Sequence, residues 1–255
     1  MGEALTSGLL RAGVSPDMVI AAVRREDRAA ALRDAYGIEV LSAAEAAARA
    51  QTLVITVKPQ DMAALLDQIA PQVSADKLLI SVAAGIPTGF IEQRLTGDVP
   101  VVRVMSNTPV LVDEAMSVIS PGRYAREEHL RRAEELLQPV GKVIRIPESQ
   151  QDAATALSGS GPAYVYFLVE AMVDAGILLG MPRATALEMV KQAVFGAATM
   201  LRDSGEHPVI LREAVTSPGG TTINAIRELE RHGVRAAFLA AIEAARDRGR
   251  ELGGG

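Results

Sequence analysis

The amino-acid sequence predicts an α/β fold in its first half, a doubly wound and mostly parallel sheet, followed by an all-α second half. Up to Pro147, short β-branched runs alternate with helical stretches, which is typical of parallel strands joined by helices. Several of these runs are apolar throughout, as expected for strands that are covered on both faces. No convincing strand follows Glu148, so we expect one domain over residues 1–148 and a second over residues 149–255.

The elements of the first half follow from their periodicity. The first helix is expected over Glu3–Ala12, where apolar residues recur at helical spacing and Gly13 follows as a stop. The expected strands are Val19–Val23, Leu53–Val57, Leu78–Val82, Val101–Val104, Met116–Ser120 and Lys142–Ile146. The expected helices between them are Arg25–Ala35, Ala43–Ala50, Asp61–Ala70 and Arg126–Leu137.

The second half reads as a set of helices. They are expected over Pro162–Leu179, Arg183–Leu201, Pro208–Val215, Thr222–Arg231 and Val234–Leu252. The first of them is apolar on nearly every face, although Glu170 and Asp174 interrupt it and it falls short of a convincing membrane span. A helix that is apolar all round has to be buried, and few other helices are available to surround it. A second subunit is therefore the favoured cover, with a central position in a monomeric bundle as the alternative.

Composition excludes several classes of chemistry. The chain has 255 residues, a net charge of −5 and no cysteine, which excludes disulfides, thiolate catalysis and zinc sites of the cysteine type. It lacks the basic cluster of a nucleic-acid-binding protein, and its three histidines are scattered without ligand spacing. The first residues also lack the features of a signal peptide. We therefore expect a cytoplasmic protein with no metal, nucleic-acid or membrane partner, whose reaction is carried by a cofactor.

Small and polar residues follow three of the expected strands. In an open α/β sheet, ligands bind beyond the carboxyl ends of the strands. The strand ending at Val57 runs into Lys58-Pro59, the next is followed by Ala83–Gly85, and the third leads into Met105–Pro109. Each segment alone is compatible with an ordinary turn, but three of them on one edge predict a binding crevice.

Two arginines follow the first expected strand. In nucleotide-binding folds of this type, a carboxylate about 20 residues beyond the glycine turn holds the ribose 2′-hydroxyl of NAD. Counted from Gly2, that position falls at Arg24-Arg25, and guanidinium groups suit a 2′-phosphate, hence NADP. The alternative is that both are solvated residues at a helix start, since Glu26 and Asp27 dilute the positive field.

The segment VTSPGGTT, residues 215–222, precedes an expected helix. Adjacent glycines free the backbone to turn several N–H groups toward one point, and the helix dipole adds positive potential there. Such a nest binds a carboxylate or phosphate without a charged side chain. The alternative is simple capping of the helix by threonine.

The segment SGSGP, residues 158–162, stands at the entrance to the apolar helix. Its glycines permit unusual dihedral angles, and Pro162 suits a first helical turn. Spacing alone leaves two readings open: the segment lines a ligand site, or it lets the chain turn tightly between domains.

The segments SGSGPAYVYFLVEAMVDAG, GMPR and AVTSPGGTTINAIRELE, with the strand-end VKP and the MSNTP turn, resemble pyrroline-5-carboxylate reductases. The likeness runs through almost the whole chain, and the SGSGPAY and SPGGTT segments are highly specific. The resemblance implies a Rossmann-like N-terminal domain and a helical C-terminal domain that interlocks two subunits, often within a ring such as a decamer. It also implies hydride transfer from NADPH, with NADH as the alternative, to the C=N carbon of 1-pyrroline-5-carboxylate, which yields L-proline.

Carried onto this chain, the resemblance assigns a role to particular residues. The backbone of Ser217, Gly219, Gly220 and Thr221 would hold the substrate carboxylate, and the hydroxyl of Thr222 would contact the ring nitrogen as the one catalytic side chain. The residues that would line the cofactor are Val57, Lys58, Pro59, Ala84, Gly85 and Asn107. Arg24 and Arg25 fall at the adenosine-ribose position, where members of the family vary.

The resemblance also raises a question about the first residues. In this family a β-strand and a glycine-rich turn precede the first helix, and Gly2 matches the last glycine of that turn, a cofactor contact. The strand and the earlier glycines are absent from the sequence. Because the first strand of a doubly wound sheet is central, its absence should leave a gap or force its neighbours to pair directly. We expect this chain to bind NADPH poorly.

The position of Met1 has two explanations. In the first, an internal methionine of the turn has been taken for the initiator, which the coincidence of Met1 with a motif position favours. In the second, the chain is truly truncated. Two alternative functions remain open. In the first, the chain is a non-catalytic subunit of an oligomer. In the second, it reduces another small cyclic imine or keto acid, because the nest at residues 217–222 requires a carboxylate but does not fix the size of the substrate ring.

Overall fold

The structure, a computed structural model, describes residues 1–252. It divides into two compact units, one of Met1–Ser160 with the chain from Ala245 onward, and one of Gly161–Ala244. The division by contacts falls after Ser160, whereas the sequence places the domain boundary at residue 148.

Strands occur only in the first unit within residues 1–252. They are β1 Ile20–Ala22, β2 Glu39–Leu41, β3 Thr52–Ile55, β4 Leu78–Ser81, β5 Val101–Met105, β6 Ala115–Pro121 and β7 Gly141–Arg145. The helices of this unit are α1 Gly2–Arg11, α2 Glu26–Tyr36, α3 Ala43–Arg49, α4 Met62–Ile69, α5 Thr88–Glu92, α6 Glu127–Leu137 and α7 Gln151–Ala154. The helices that follow are α8 Gly161–Leu178, α9 Arg183–Ser204, α10 Pro208–Ala214, α11 Thr221–Arg231 and α12 Val234–Leu252.

The strands form two sheets rather than one. β1 and β2 pair in parallel as a separate two-stranded sheet, and β3 to β7 form a five-stranded sheet in chain order. Within the larger sheet β3, β4 and β5 are parallel, β6 is antiparallel to β5, and β7 is parallel to β6. The doubly wound, mostly parallel prediction is confirmed. Of the two outcomes expected for the centre of the sheet, the structure has the gap: β1 and β3 do not pair.

The larger sheet is covered on both faces. Leu78 and Ile80 of β4 belong to one core cluster with Val102 and Val104, whereas Leu79 between them belongs to a second cluster with Leu66 of α4. This division follows from the alternation of side chains along a strand. Because both faces are buried, residues 78–80 of β4 are apolar on both faces, which is the pattern seen in the sequence.

Helix α1 packs against both sheets. Ala4 and Leu5 lie in the core of the larger sheet, and Leu10, at the other end of the helix, packs on the core of the β1–β2 sheet. At Gly8 a Cβ atom would overlap the side chain of Val140, so the close approach of the helix requires glycine. Helix α1 therefore connects the two sheets although no hydrogen bond joins them.

The structure differs from the sequence prediction in four short segments. Strand β2 and the helices α5 and α7 are absent from the prediction because each is too short to show a period. The SGSGP segment is not a tight turn: residues Thr155–Gly159 form a π-helical turn that leads into α8, with the amide of Ser160 donating to the carbonyl of Thr155 at 2.9 Å. The tight-turn reading of this segment is therefore wrong.

The second unit leaves much apolar surface uncovered. Among its residues only Val173 and Ala186 are buried, where α8 and α9 pack so closely that a Cβ atom on Gly176 would lie 2.8 Å from that of Ala186. Large apolar side chains exposed in this unit include Tyr166, Phe167, Leu178, Leu179, Phe195 and Leu239. A surface of this kind requires a cover.

The stretch that contains α8 meets a simple criterion for a membrane span. Residues 148–178 are long and apolar enough, with a mean hydropathy of 1.3 over the best window. A single such helix is weak support for membrane insertion, because helices that are buried in soluble proteins or their interfaces pass the same test.

Candidate active site

The carboxyl ends of β3, β4 and β5 share one edge of the larger sheet, because these strands are parallel neighbours. The structure therefore brings the three predicted cofactor segments together at this edge. Lys58 is exposed and extended, with φ −67° and ψ 152°, as expected before proline. Ala84 is exposed, and Gly85 has φ +75°, a conformation that favours glycine.

The start of α1 lies at the same edge. A Cβ atom on Gly2 would lie 2.7 Å from Oγ1 of Thr56, which directly follows β3. The first turn of α1 has no side-chain cap, so its amide groups add positive potential at this point. A glycine at the close approach, a helix N-terminus and the glycine after β4 together fit the pyrophosphate and ribose of a dinucleotide.

Arg24 and Arg25 follow β1, where they line a cavity of about 270 Å³ with Val23 and Arg28. Sequence reasoning missed Arg28, which stands one helical turn after Arg24. Each guanidinium has a carboxylate partner: Arg24 pairs with Asp61, Arg25 with Asp27, and Arg28 with Glu3. The hydrogen bond between Arg25 and Asp27 raises the pKa of the arginine and lowers that of the aspartate. None of the three guanidinium groups is without a carboxylate partner.

Asn107, which follows β5, is held from both sides. Its Nδ2 donates to the carbonyl of Ser158 at 3.1 Å, and its Oδ1 accepts from the amide of Met116 at 3.0 Å. The side chain thus holds the MSNTP turn against the π-helical turn of the SGSGP segment. It shapes the edge of the crevice through these contacts.

A buried ion pair fixes the segment before that π-helical turn. The side chain of Arg103, in the middle of β5, is 8% exposed and lies 3.3 Å from Glu148 and 3.6 Å from Asp152. Glu148 also accepts from the amide and the hydroxyl of Thr88 at 2.8 and 2.7 Å. Sequence reasoning missed this cluster, although a charged residue inside the apolar run VVRVM was the signal that could have indicated it.

The predicted nest lies in the second unit. Gly219 has φ +67°, and the amide of Gly220 donates to the carbonyl of Ser217 at 3.1 Å, which closes a tight turn ahead of α11. A Cβ atom on Gly220 would overlap the hydroxyl of Ser217, and Gly219 has a positive φ, so the turn favours glycine at both positions.

Helix α11 begins at Thr221 with Gly220 in the capping position and no side-chain cap. The alternative reading, in which threonine caps this helix, is therefore wrong. The amides of Thr221, Thr222 and Ile223 are in the first turn, where intrahelical acceptors are lacking. Thr222 is half-buried and Thr221 is exposed. The arrangement offers several converging donors to a carboxylate.

Two family models match the chain. "Pyrroline-5-carboxylate reductase dimerisation" covers residues 148–252, and "NADP oxidoreductase coenzyme F420-dependent" covers residues 1–85. The reductase of Corynebacterium melassecola is 44% identical, with 99% of this chain and 95% of that protein aligned. The reductase of Methanosarcina acetivorans is 42% identical, with coverages of 99% and 94%.

Solved structures agree with these relatives. A pyrroline-5-carboxylate reductase from Coxiella burnetii has a TM-score of 0.94 at 33% identity, covering 98% of this chain and 94% of that one. The Plasmodium falciparum pyrroline carboxylate reductase, solved with NADP bound, has a TM-score of 0.88 at 28% identity, with coverages of 99% and 94%. The dimerisation model accounts for the apolar surface of the second unit, so the chain is homo-oligomeric. This chain belongs to the pyrroline-5-carboxylate reductase family, the NAD(P)H-dependent oxidoreductases that reduce 1-pyrroline-5-carboxylate to L-proline.

Proposed function

We propose that this chain divides the reduction between its two units. The carboxyl edge of the larger sheet, with Gly2, Val57–Pro59, Ala84-Gly85 and Asn107, holds the cofactor. The turn of Ser217, Gly219 and Gly220 and the first turn of α11 hold the carboxylate of 1-pyrroline-5-carboxylate. The observation that supports this most directly is the uncapped start of α11 behind a glycine with φ +67°, because it presents amide donors without a side chain to satisfy them.

The protein's part in the chemistry is mainly to position the substrate. The backbone amides of Thr221 and Thr222 bind the carboxylate, and the hydroxyl of Thr222 orients the ring nitrogen. When bound, the nicotinamide supplies the hydride. A cyclic imine is basic enough to arrive largely as an iminium, so its carbon is already electrophilic and no general acid is needed. Holding that carbon within about 3–3.5 Å of the hydride donor lowers the activation barrier, because the entropic cost of bringing the two reactants together is met on binding.

We propose NADPH as the preferred cofactor, with the arginines after β1 as the reason. Arg24, Arg25 and Arg28 surround one cavity, and guanidinium groups bind phosphate through paired N–H donors. The test is the rate of NADPH oxidation compared with that of NADH at matched concentrations. An Arg24→Gln variant should lose rate with NADPH and keep it with NADH. Equal rates with both cofactors in the unmodified chain would contradict the preference.

The interruption between β1 and β3 leads us to propose that a strand placed between them strengthens cofactor binding. The test follows NADPH oxidation with 1-pyrroline-5-carboxylate for this chain and for one extended ahead of Met1 by an apolar strand and a glycine-rich turn. A Gly/Ser extension of equal length is the matched control. We expect the strand extension to lower the KM for NADPH and the control to leave it unchanged. Equal activity of all three would contradict this account of the cofactor site, whereas no activity in any folded oligomer would favour the non-catalytic subunit.

We also propose that dimers of this chain assemble into a larger ring such as a decamer, and that the reaction takes place in the cytoplasm. The apolar surface on α8, α9 and α12 supports the ring. The cytoplasmic location is supported by the reaction's use of a dissolved dinucleotide. Light scattering coupled to gel filtration tests the ring. A measured mass equal to two chains would show a dimer and contradict the ring.

A further inference from the structure

The carboxylate of Asp61 accepts hydrogen bonds from an arginine and does not cap its own helix. Asp61 stands in the capping position ahead of α4, and aspartate is a favoured residue there, but it makes no side-chain cap. Its Oδ1 and Oδ2 instead accept from Nη1 and Nη2 of Arg24, at 3.2 and 2.9 Å. This paired geometry is the one that a guanidinium also offers to a phosphate.

The pair spans the interruption between the two sheets. Arg24 follows β1 of the small sheet, and Asp61 belongs to the turn after β3 of the large one. The side chain of Arg24 is 80% exposed and that of Asp61 is 30% exposed, so a dissolved anion has access to the guanidinium. The pair lies at the edge where the adenosine ribose is placed under the proposed function.

The carboxylates that pair with Arg25 and Arg28 lie on helices, not on a turn after a strand of the larger sheet. Asp27 is two positions from Arg25 on the same turn, and Glu3 belongs to α1, where Tyr36 also donates to it. Asp61 alone among these three carboxylates belongs to a turn after a strand of the larger sheet. The charge of Asp61 therefore acts on Arg24 from the larger sheet, across the interruption between the two sheets.

We propose that Asp61 is a specificity-determining residue that competes with the 2′-phosphate of the cofactor for Arg24. A guanidinium whose paired donors are engaged by a carboxylate has fewer donors left for a phosphate, and the carboxylate also repels the phosphate directly. Asp61 therefore reduces the preference for a 2′-phosphorylated dinucleotide over one with a free 2′-hydroxyl. This inference rests on the proposed function, which places the adenosine ribose beside Arg24.

The test is a binding measurement that needs no turnover. The Asp61→Asn variant and the unmodified chain are titrated by calorimetry with adenosine 2′,5′-bisphosphate and with adenosine 5′-monophosphate, at low ionic strength. Because exposed ion pairs are weak, we expect the Kd for the bisphosphate to fall about two- to fivefold. The Kd for the monophosphate should stay unchanged.

Two further variants separate competition for Arg24 from a general change of charge. Asp67→Asn removes the same charge from the exposed face of α4 and should leave both Kd values unchanged. In an Arg24→Gln background, Asp61→Asn should have a smaller effect on the bisphosphate, limited to the relief of direct repulsion. Far-ultraviolet circular dichroism and the thermal midpoint check that each variant is folded.

Several outcomes would overturn the inference. These are an unchanged or higher Kd for the bisphosphate, an equal gain in Asp67→Asn, a gain of the same size in the Arg24→Gln background, or no bisphosphate binding by either the unmodified chain or Asp61→Asn. Each leaves the proposed function to be judged separately by NADPH oxidation with 1-pyrroline-5-carboxylate.

Discussion

The amide of Asn107 donates to the carbonyl of Ser158 at 3.1 Å and thereby joins two motifs that lie 51 residues apart. The same side chain accepts from the backbone of Met116, so it holds the turn after β5 to the next strand as well as to the π-helical turn. The carboxyl edge of the larger sheet and the SGSGP segment are thus connected through one half-buried amide.

Replacing Asn107 by alanine should lower the free energy of unfolding. Two hydrogen bonds are lost, and each contributes about 0.5–1.5 kcal/mol, so we expect a loss of about 1–3 kcal/mol. Urea unfolding measures it. The matched control is Asn224→Ala, which removes one exposed hydrogen bond to the carbonyl of Gly220. Equal losses in both variants would show that the link to Ser158 contributes nothing.

Replacing Glu148 by glutamine should destabilise the first unit more than an exposed ion pair would suggest. Arg103 is buried, and a hydrogen bond to a charged group contributes about 1.5–3 kcal/mol, which is the loss we expect. The control is Glu135→Gln, whose partner Arg132 is exposed, and there the loss should be below about 1 kcal/mol. A Glu148 variant as stable as the control would mean that Asp152 alone satisfies Arg103.

Replacing Gly219 by alanine should weaken substrate binding. Gly219 and Gly233 both have φ +67° and open space for a Cβ atom, so alanine at either costs about 1–2 kcal/mol of backbone strain. Only Gly219 lies in the nest. We therefore expect similar losses of stability but a roughly tenfold rise in the KM for 1-pyrroline-5-carboxylate for Gly219→Ala alone, as expected from a lost charged hydrogen bond. A similar KM in both variants would remove the nest from the substrate site.

Replacing Thr222 by alanine should reduce kcat/KM roughly tenfold without abolishing turnover, because the hydroxyl orients a carbon that is already electrophilic. Thr222→Ser retains the hydroxyl and should restore most of the rate, and Thr221→Ala should change kcat little. Steady-state NADPH oxidation measures all three. Complete loss of activity in a folded Thr222→Ala variant would show that the hydroxyl does more than orient the ring.

Stability at low pH should depend on Glu134. The hydrogen bond from Arg145 lowers the pKa of Glu134 below its ordinary value, so this carboxylate stabilises the folded state above its unfolded pKa. That contribution is lost as the pH falls through the folded pKa. We expect Glu134→Gln to lower the urea midpoint at pH 7 and to match the unmodified chain once the pH is below the folded-state pKa of Glu134. A difference that persists in acid would point to packing rather than charge.

The sequence alone determined the elements that are long enough to show a period. Strand β4 was readable because both of its faces are buried and three of its four positions are apolar, and α12 because its apolar residues recur over five turns of helix. The tight turn ahead of α11 was readable too, since adjacent glycines before a helix free the backbone for a positive φ. These features are local: the residues that determine them are neighbours in the chain.

Only the tertiary structure decided which distant residues meet. Arg24 pairs with Asp61 across 37 residues although Asp27 is closer in sequence, and Arg103 pairs with Glu148 across 45. The gap between β1 and β3, and the helix α1 that packs against both sheets, also emerge only in three dimensions. The physical reason is that charge, burial and hydrogen bonding depend on position in space. The periodicity of a chain reports which face of an element is buried, but not which partner it is buried against.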